Sequence, residues 1–109
     1  MSSKAEQELA GVFAALGDAT RLALVTRLLA AGALSATALA EGQAISRQAI
    51  VKHLQVLEAA RLVVHARQGR EVLYSLDAQQ VDAARAFLDA ISAGWDRALD
   101  RLKTLVETD

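Results

Sequence analysis

The apolar residues of this chain change their period twice, and that change constrains the fold more than any single motif. Up to Leu57 they recur at intervals of three and four, the spacing of one face of an α-helix. From Leu62 to Leu76 they alternate, as in paired strands. From Val81 onward they return to helical spacing and keep a seven-residue repeat almost to the end. A chain written this way folds as helices, then a hairpin, then one long helix.

Glu6–Leu16 reads as the first helix, with Leu9, Val12, Phe13 and Leu16 on one face and Gly17 at its end. Asp18 caps a second helix over Ala19–Ala31, whose core residues by spacing are Leu22, Val25, Leu28 and Leu29; Gly32 ends it. Ala33 and Leu34 read as a short extended link.

A short helix and a longer one follow. Ala36–Glu41 begins after Ser35, a natural N-cap, and Gly42 suits the left-handed conformation that closes a helix. Gln43, Ala44 and Ile45 complete a tight connection. Ser46 to Ala60 then has two unlike faces. Ala49, Ile50, Leu54 and Leu57 form an apolar stripe, and Arg47, Gln48, Val51, Lys52 and Gln55 lie opposite, with no carboxylate before Glu58. Short helix, glycine turn and longer helix make a helix-turn-helix, whose second helix enters the major groove. Arg and Gln can bond base edges there, and Lys suits a phosphate. The bland alternative for Arg47, Gln48 and Lys52 is a solvated helix face. His53 has three readings: metal ligand, phosphate contact or half-buried structural residue. It has no ligand-type neighbour, which disfavours the metal.

The alternating run spans Leu62–Gln68 and Arg70–Leu76, with Gly69 between to supply a positive φ. This is a two-stranded hairpin with a basic tip, Arg67 and Arg70, of the kind that reaches phosphates or the minor groove. His65 lies on a strand and is expected at the surface.

Asp77 and Gln80 open the last helix as a capping pair. Val81, Leu88, Trp95 and Leu102 repeat every seven residues, as do Ala84, Ile91, Ala98 and Leu105. Such a helix is ~43 Å long, more than a domain of this size can cover. A homodimer built from the first and last helices follows, with Leu9, Val12, Phe13, Val81, Leu88, Ile91, Trp95 and Leu102 at its interface. Trp95 is read either as dimer core or as the wall of an effector pocket.

Composition narrows the function classes. The chain has 109 residues, 53 % of them hydrophobic, and no Pro or Cys. Disulfides and thiolate metal sites are excluded. The polar start, MSSKAEQE, is unlike a signal peptide, and the longest uncharged stretch, Leu28 to Ala40, is short of a membrane span, so a soluble cytoplasmic protein is expected. Net charge is −1, but residues 43–75 carry five basic and two acidic side chains. Screening acts within ~10 Å, so this local excess governs attraction to phosphate. No nucleophilic Cys, phosphate-binding Gly loop or convergent acidic pair points to an enzyme. No metal site or cofactor is expected.

ALGDATRLALVTRLL, then LSATALAEGQAISRQAIVKHLQVLEAARLV, then GREVLYSL resembles the ArsR/SmtB-type winged-helix repressors, from about Leu9 to Leu76. The resemblance implies a mainly α, α+β winged helix-turn-helix: five helices, with a wing between the fourth and fifth, dimerising through the first and fifth. It implies a bacterial homodimeric repressor bound to double-stranded DNA, with Ser46, Arg47, Gln48, Lys52 and His53 at or near DNA. It also implies that Asp18, Thr20 and Arg21 are the family's Asp-x-Thr-Arg signature. The chain departs from the family's sensors. LSATALAEG lacks the Cys pair of metal-sensing members. The last helix has Asp82, Asp89 and Asp96 but no His, and the two Cys of persulfide sensing are absent. Val51 replaces a small polar residue and is suited to a thymine methyl group.

One domain over 1–109 is therefore expected, with the helix-turn-helix at 35–60, the wing at 62–76 and dimerisation helices at 4–16 and 78–106. A second reading adds a non-metal effector between the first and last helices near Phe13, Phe87, Ile91 and Trp95. The rival from another class is a winged-helix protein-interaction module without DNA binding.

Overall fold

The computed structural model describes residues 3–107, so Met1, Ser2, Thr108 and Asp109, and with them both ends of the polar termini, lie outside the described residues. The elements run α1 (Lys4–Leu16), α2 (Ala19–Ala31), β1 (Ala33–Ser35), α3 (Ala36–Ala40), α4 (Arg47–Ala59), β2 (Val63–Gln68), β3 (Glu71–Leu76) and α5 (Ala78–Glu107). This is the winged-helix order expected from the sequence.

Side-chain caps start every helix. Ser3, Asp18, Ser35 and Ser46 accept from the backbone N–H of Glu6, Arg21, Ala38 and Ala49 respectively. Ser3 thus begins α1 two residues before the expected Glu6. Asp77 accepts from the N–H groups of Gln79 and Gln80, as the capping pair predicts. Its second half differs: the Gln80 amide donates instead to the Ala60 carbonyl at 3.1 Å, tying the start of α5 to the end of α4.

The core is formed by Val12, Leu24, Leu28, Leu39, Ile50, Leu54, Leu57, Leu62 and Val63. Two expectations for α2 are corrected: Leu22 and Leu29 are exposed, and Leu24 is buried in their place. Two guanidinium groups fix this rotation. Arg21 donates to the Ala15 carbonyl at 2.6 Å, and Arg27 donates to the carbonyls of Leu39 and Ala38 at 2.7 and 3.2 Å. Each Arg donates to carbonyls at a helix end: Ala15 at the end of α1, and Leu39 and Ala38 at the end of α3, where Ala38 also accepts from the Glu41 N–H. Turning Leu22 and Leu29 inward would pull both away.

The extended link after α2 is a strand. Ala33–Ser35 pairs antiparallel with Leu73–Ser75, so the expected two-stranded hairpin is a three-stranded sheet of order β1-β3-β2. The free edge of β3 gives the link's backbone groups partners they would otherwise lack. Arg61 supplies a further feature the sequence did not announce, a positive φ of 63°. Its N–H donates to the Glu58 carbonyl, and that of Leu62 to the Leu57 carbonyl. This is a Schellman closure with Arg where Gly is usual.

α5 is one unbroken helix of 30 residues, ~45 Å long. Phe13 of α1 and Phe87 of α5 pack with ring centroids 5.9 Å apart. Ala84 is the only buried residue of α5; Leu88, Ile91, Trp95 and Leu102 of the heptad stripe are exposed. Val12, expected at the dimer interface, is fully covered by its own chain and has no surface to offer a partner. Among the described residues no single helix is long and apolar enough to cross a membrane.

Candidate nucleic-acid interface

α3, the Gly42 turn and α4 make the helix-turn-helix, and Gly42 has the positive φ, 73°, that its place required. Burial of Ile50, Leu54 and Leu57 turns the opposite side of α4 to solvent. Gln48, Lys52 and Gln55 stand there exposed, one helical turn apart, with no carboxylate between them. The other candidates on α4 are placed differently. The Ser46 hydroxyl is engaged as the N-cap. Arg47 is exposed on one flank, where its Nε donates to Thr37 Oγ1 at 3.2 Å. Val51 is half-buried on the same flank.

His53 lies on the opposite flank, half-buried against α2, and not among the outward side chains. Its Nδ1 is 3.4 Å from an Arg21 guanidinium nitrogen and 3.8 Å from Asp18 Oδ2. The Arg21 backbone N–H holds the Asp18 carboxyl below the usual carboxylate range against a smaller opposing effect of desolvation; the charges of Arg21 and His53 add to the lowering. Of the three readings for His53, the geometry favours the structural one: it joins the recognition helix to the start of α2.

The wing is a two-residue turn. Gln68 pairs with Glu71, and of Gly69 and Arg70 only Gly69 has a positive φ, 66°, the pattern of a II′ hairpin. Arg67 and Arg70 are both exposed at this tip. The base of the wing is braced to α4. His65 Nδ1 lies 2.8 Å from Glu58 Oε1, and its ring packs on Tyr74 with centroids 5.6 Å apart. Between α3, α4 and the wing runs a cleft of about 590 Å³ whose lining includes Thr37, Glu41, Arg47, Arg70 and Glu71.

The cations of this face are free of carboxylates. Among the described residues the ion pairs are His53–Asp18, Arg61–Glu8 and His65–Glu58. Arg47, Lys52, Arg67 and Arg70 are in none of them. Arg21 and Arg27, by contrast, are engaged by backbone carbonyls. So the basic excess of the 43–75 segment faces solvent on one side, where a polyanion would meet it without first breaking a salt bridge. Sequence reasoning missed the roles of Thr37, Arg27 and Glu58, which arise from contacts between separate elements; it placed Arg21 in the Asp-x-Thr-Arg signature but could not show its bond to Ala15.

Of the residues expected to border an effector between α1 and α5, Phe13 and Phe87 pack on each other and Ile91 and Trp95 lie on open surface. An apolar cleft of about 370 Å³ opens instead between α2 and α5. Among the described residues no three His, Cys, Asp or Glu side chains come together in a way that would hold a metal ion.

Comparison with known proteins agrees with this geometry. Residues 16–66 match the family model described as a helix-turn-helix domain. The chain is 40 % identical over 95 residues to the HTH-type transcriptional regulator Rv2034 of Mycobacterium tuberculosis, covering 87 % of this chain and 85 % of that protein. It is 40 % identical over 76 residues to a transcriptional repressor SmtB homolog of Synechocystis, covering 70 % of this chain and 57 % of the relative. Among solved structures, an ArsR-like transcriptional regulator from Rhodococcus sp. RHA1 superposes with a TM-score of 0.76 at 42 % identity, covering 92 % of this chain and 93 % of that one.

Proposed function

The chain belongs to the ArsR/SmtB family of DNA-binding transcriptional regulators, and from that premise we propose that it is a homodimeric repressor reading an inverted-repeat operator through α4. The observation that carries this reading is the outward face of Gln48, Lys52 and Gln55, flanked by Arg47 and the wing-tip Arg67 and Arg70, all clear of carboxylate partners.

Gln48 and Gln55 are assigned to base edges and Lys52 to a phosphate or a guanine. Arg47, Arg67 and Arg70 are assigned to the phosphate backbone or the minor groove. Val51 supplies apolar contact at the flank. Ser46 and His53 act as positioning residues, the first by capping α4 and the second by joining it to α2. Dimerisation through α1 and α5 covers the bare stripe of α5 and sets two recognition helices about one DNA turn apart, ~34–36 Å. The relatives are regulators rather than enzymes, and the chain is assigned no chemistry of its own. The uncovered basic face favours DNA over the protein-interaction alternative.

The test is selection of genomic fragments by the purified protein, followed by salt titration on the recovered site. A short inverted repeat is expected. Gln48→Ala should lose about 1–3 kcal/mol of discrimination at one base position in each half-site. Arg67→Ala and Arg70→Ala should weaken binding to all sequences alike, each lowering the salt slope by about 1. Unaltered binding by the Gln48 and Lys52 variants together would remove α4 as the reader.

A further inference from the structure

Arg47 is the first residue of α4, and Thr37 is the second of α3. The Nε of Arg47 donates to Thr37 Oγ1 at 3.2 Å, beside the cleft that both residues line with Arg70 of the wing. One bond thus links the two helices of the helix-turn-helix through a side chain assigned to DNA.

The two ends of that bond differ in freedom. Thr37 stands on a fixed base: Ala36 and Leu39 beside it are buried, Ser35 caps the helix, and Arg27 holds the carbonyls of Ala38 and Leu39. Ser35 also pairs with Leu73 of β3, which ties the start of α3 to the wing. A side chain branched at Cβ adds little freedom of its own. Arg47 is long, exposed and in none of the ion pairs among the described residues. An Arg of that kind gives up much rotamer freedom when it binds a ligand. A bond already made in the free protein removes part of that loss.

The type of acceptor matters as well. Glu41 lines the same cleft, yet the bond goes to a hydroxyl. A carboxylate would hold the guanidinium and cancel its charge. A hydroxyl holds it and leaves it cationic. The bond uses Nε–H alone, so the N–H groups of Nη1 and Nη2 remain for a bidentate contact with a phosphate.

We propose that Thr37 is a positioning residue for DNA binding, fixing the Arg47 guanidinium at the start of the recognition helix with its outer edge open to a backbone phosphate. This rests on the reading of α4 as the DNA reader and goes beyond it, because it gives α3 a part in setting the affinity.

Thr37→Val keeps the shape of the side chain and removes the acceptor. Wild type, Thr37→Val, Arg47→Ala and the double variant are compared on a duplex carrying the repeat recovered by genomic selection, with circular dichroism as the check on folding. Thr37→Val should weaken binding about 5-fold, and Thr37→Ser should restore it. The salt slope of Thr37→Val should match wild type because no charge is lost, whereas Arg47→Ala should lower it by about 1. In the Arg47→Ala background Thr37→Val should have no further effect. An equal loss in both backgrounds would overturn the proposal, since Thr37 would then act on DNA or on α3 by itself. Unchanged or tighter binding by Thr37→Val would overturn it too, making the bond incidental or a restraint. Undiminished binding by Arg47→Ala, with Gln48→Ala still relaxing base preference, would sink the proposal and leave α4 as the reader. No effect at either Arg47 or Gln48 would remove the reading of α4 itself.

Discussion

α4 and α5 are both amphipathic helices with one regular apolar stripe, and the chain treats the two stripes in opposite ways. On α4, Ile50, Leu54 and Leu57 are all buried, and the exposed side is the polar one. On α5 the burial ends at Ala84, and beyond it the apolar stripe is exposed along with the polar side. The difference lies in neighbours. α4 is surrounded by α1, α2, α3 and β2, whereas α5 touches its own chain mainly over its first half. An apolar stripe covered within the chain makes a core. The same kind of stripe, left uncovered at large scale, marks a surface meant for another molecule. In the proposed reading, α4 would meet DNA with the side that packing leaves over, and α5 would meet a second copy with the side that packing could not reach.

The largest effect expected from this contrast is at Leu54. Leu54→Ala should cost about 2–5 kcal/mol in denaturant unfolding, because it removes a fully buried side chain from a site walled by other elements. Trp95→Ala should leave the unfolding of a dilute monomer unchanged, and should instead abolish the rise of Tm with protein concentration. Equal losses in dilute monomers would erase the distinction between the two helices.

Next in size is the pinning of α3 beneath α4. Arg27→Met keeps the aliphatic stem but leaves the Leu39 carbonyl without its donor and the Ala38 carbonyl with only the Glu41 N–H, and about 1–3 kcal/mol of stability should go with it. A thermal melt indistinguishable from wild type would mean that water replaces the guanidinium without penalty.

Arg61→Gly runs the other way. It relieves a left-handed Arg at the end of α4 and gives up only the exposed pair with Glu8, so a net gain of up to about 1 kcal/mol is expected from chemical denaturation. Destabilisation would show that the Glu8 contact matters more than the backbone.

The smallest effect is at the joint between α2 and α4. The Asp18 carboxyl is lowered in the fold, so its contribution is present above the ordinary carboxylate pKa. It is lost as pH falls through the lowered value. Asp18→Asn keeps a capping oxygen and removes the titration. Its stability should therefore fall less steeply on acidification below about pH 4 than that of wild type. Parallel acid limbs in the two proteins would place the lowered group elsewhere.

Much of the fold was legible because it is written locally. Ser35, Ser46, Asp18 and Asp77 cap as their positions foretell, and Gly42 and Gly69 take the positive φ that their turns demand. The polar face of α4 was legible for the same reason: a helical period fixes which side chains share a side. What stayed hidden depends on distant partners. Leu22 and Leu29 have the spacing of a core stripe, but Arg21 and Arg27 set the rotation of α2. β1 exists only because β3 has a free edge beside it. His53 sits next to Lys52 in sequence, yet one step around the helix carries it from the outer face to α2. For the interface, residue types were readable but their surroundings were not. Arg47 needed the position of Thr37 before its tether could be seen.

The two guanidinium contacts of α2 also have a mechanical meaning. Arg21 and Arg27 are six residues apart, ~9 Å along one rod, and each grips the end of a different helix. Two grips on a stiff rod remove the freedom of those ends to swivel independently. A torque delivered to α1 reaches α3 as a shared rotation, and α3 is the bed on which α4 lies. If α4 reads DNA as proposed, α2 would stand to it as a shaft stands to a reading head.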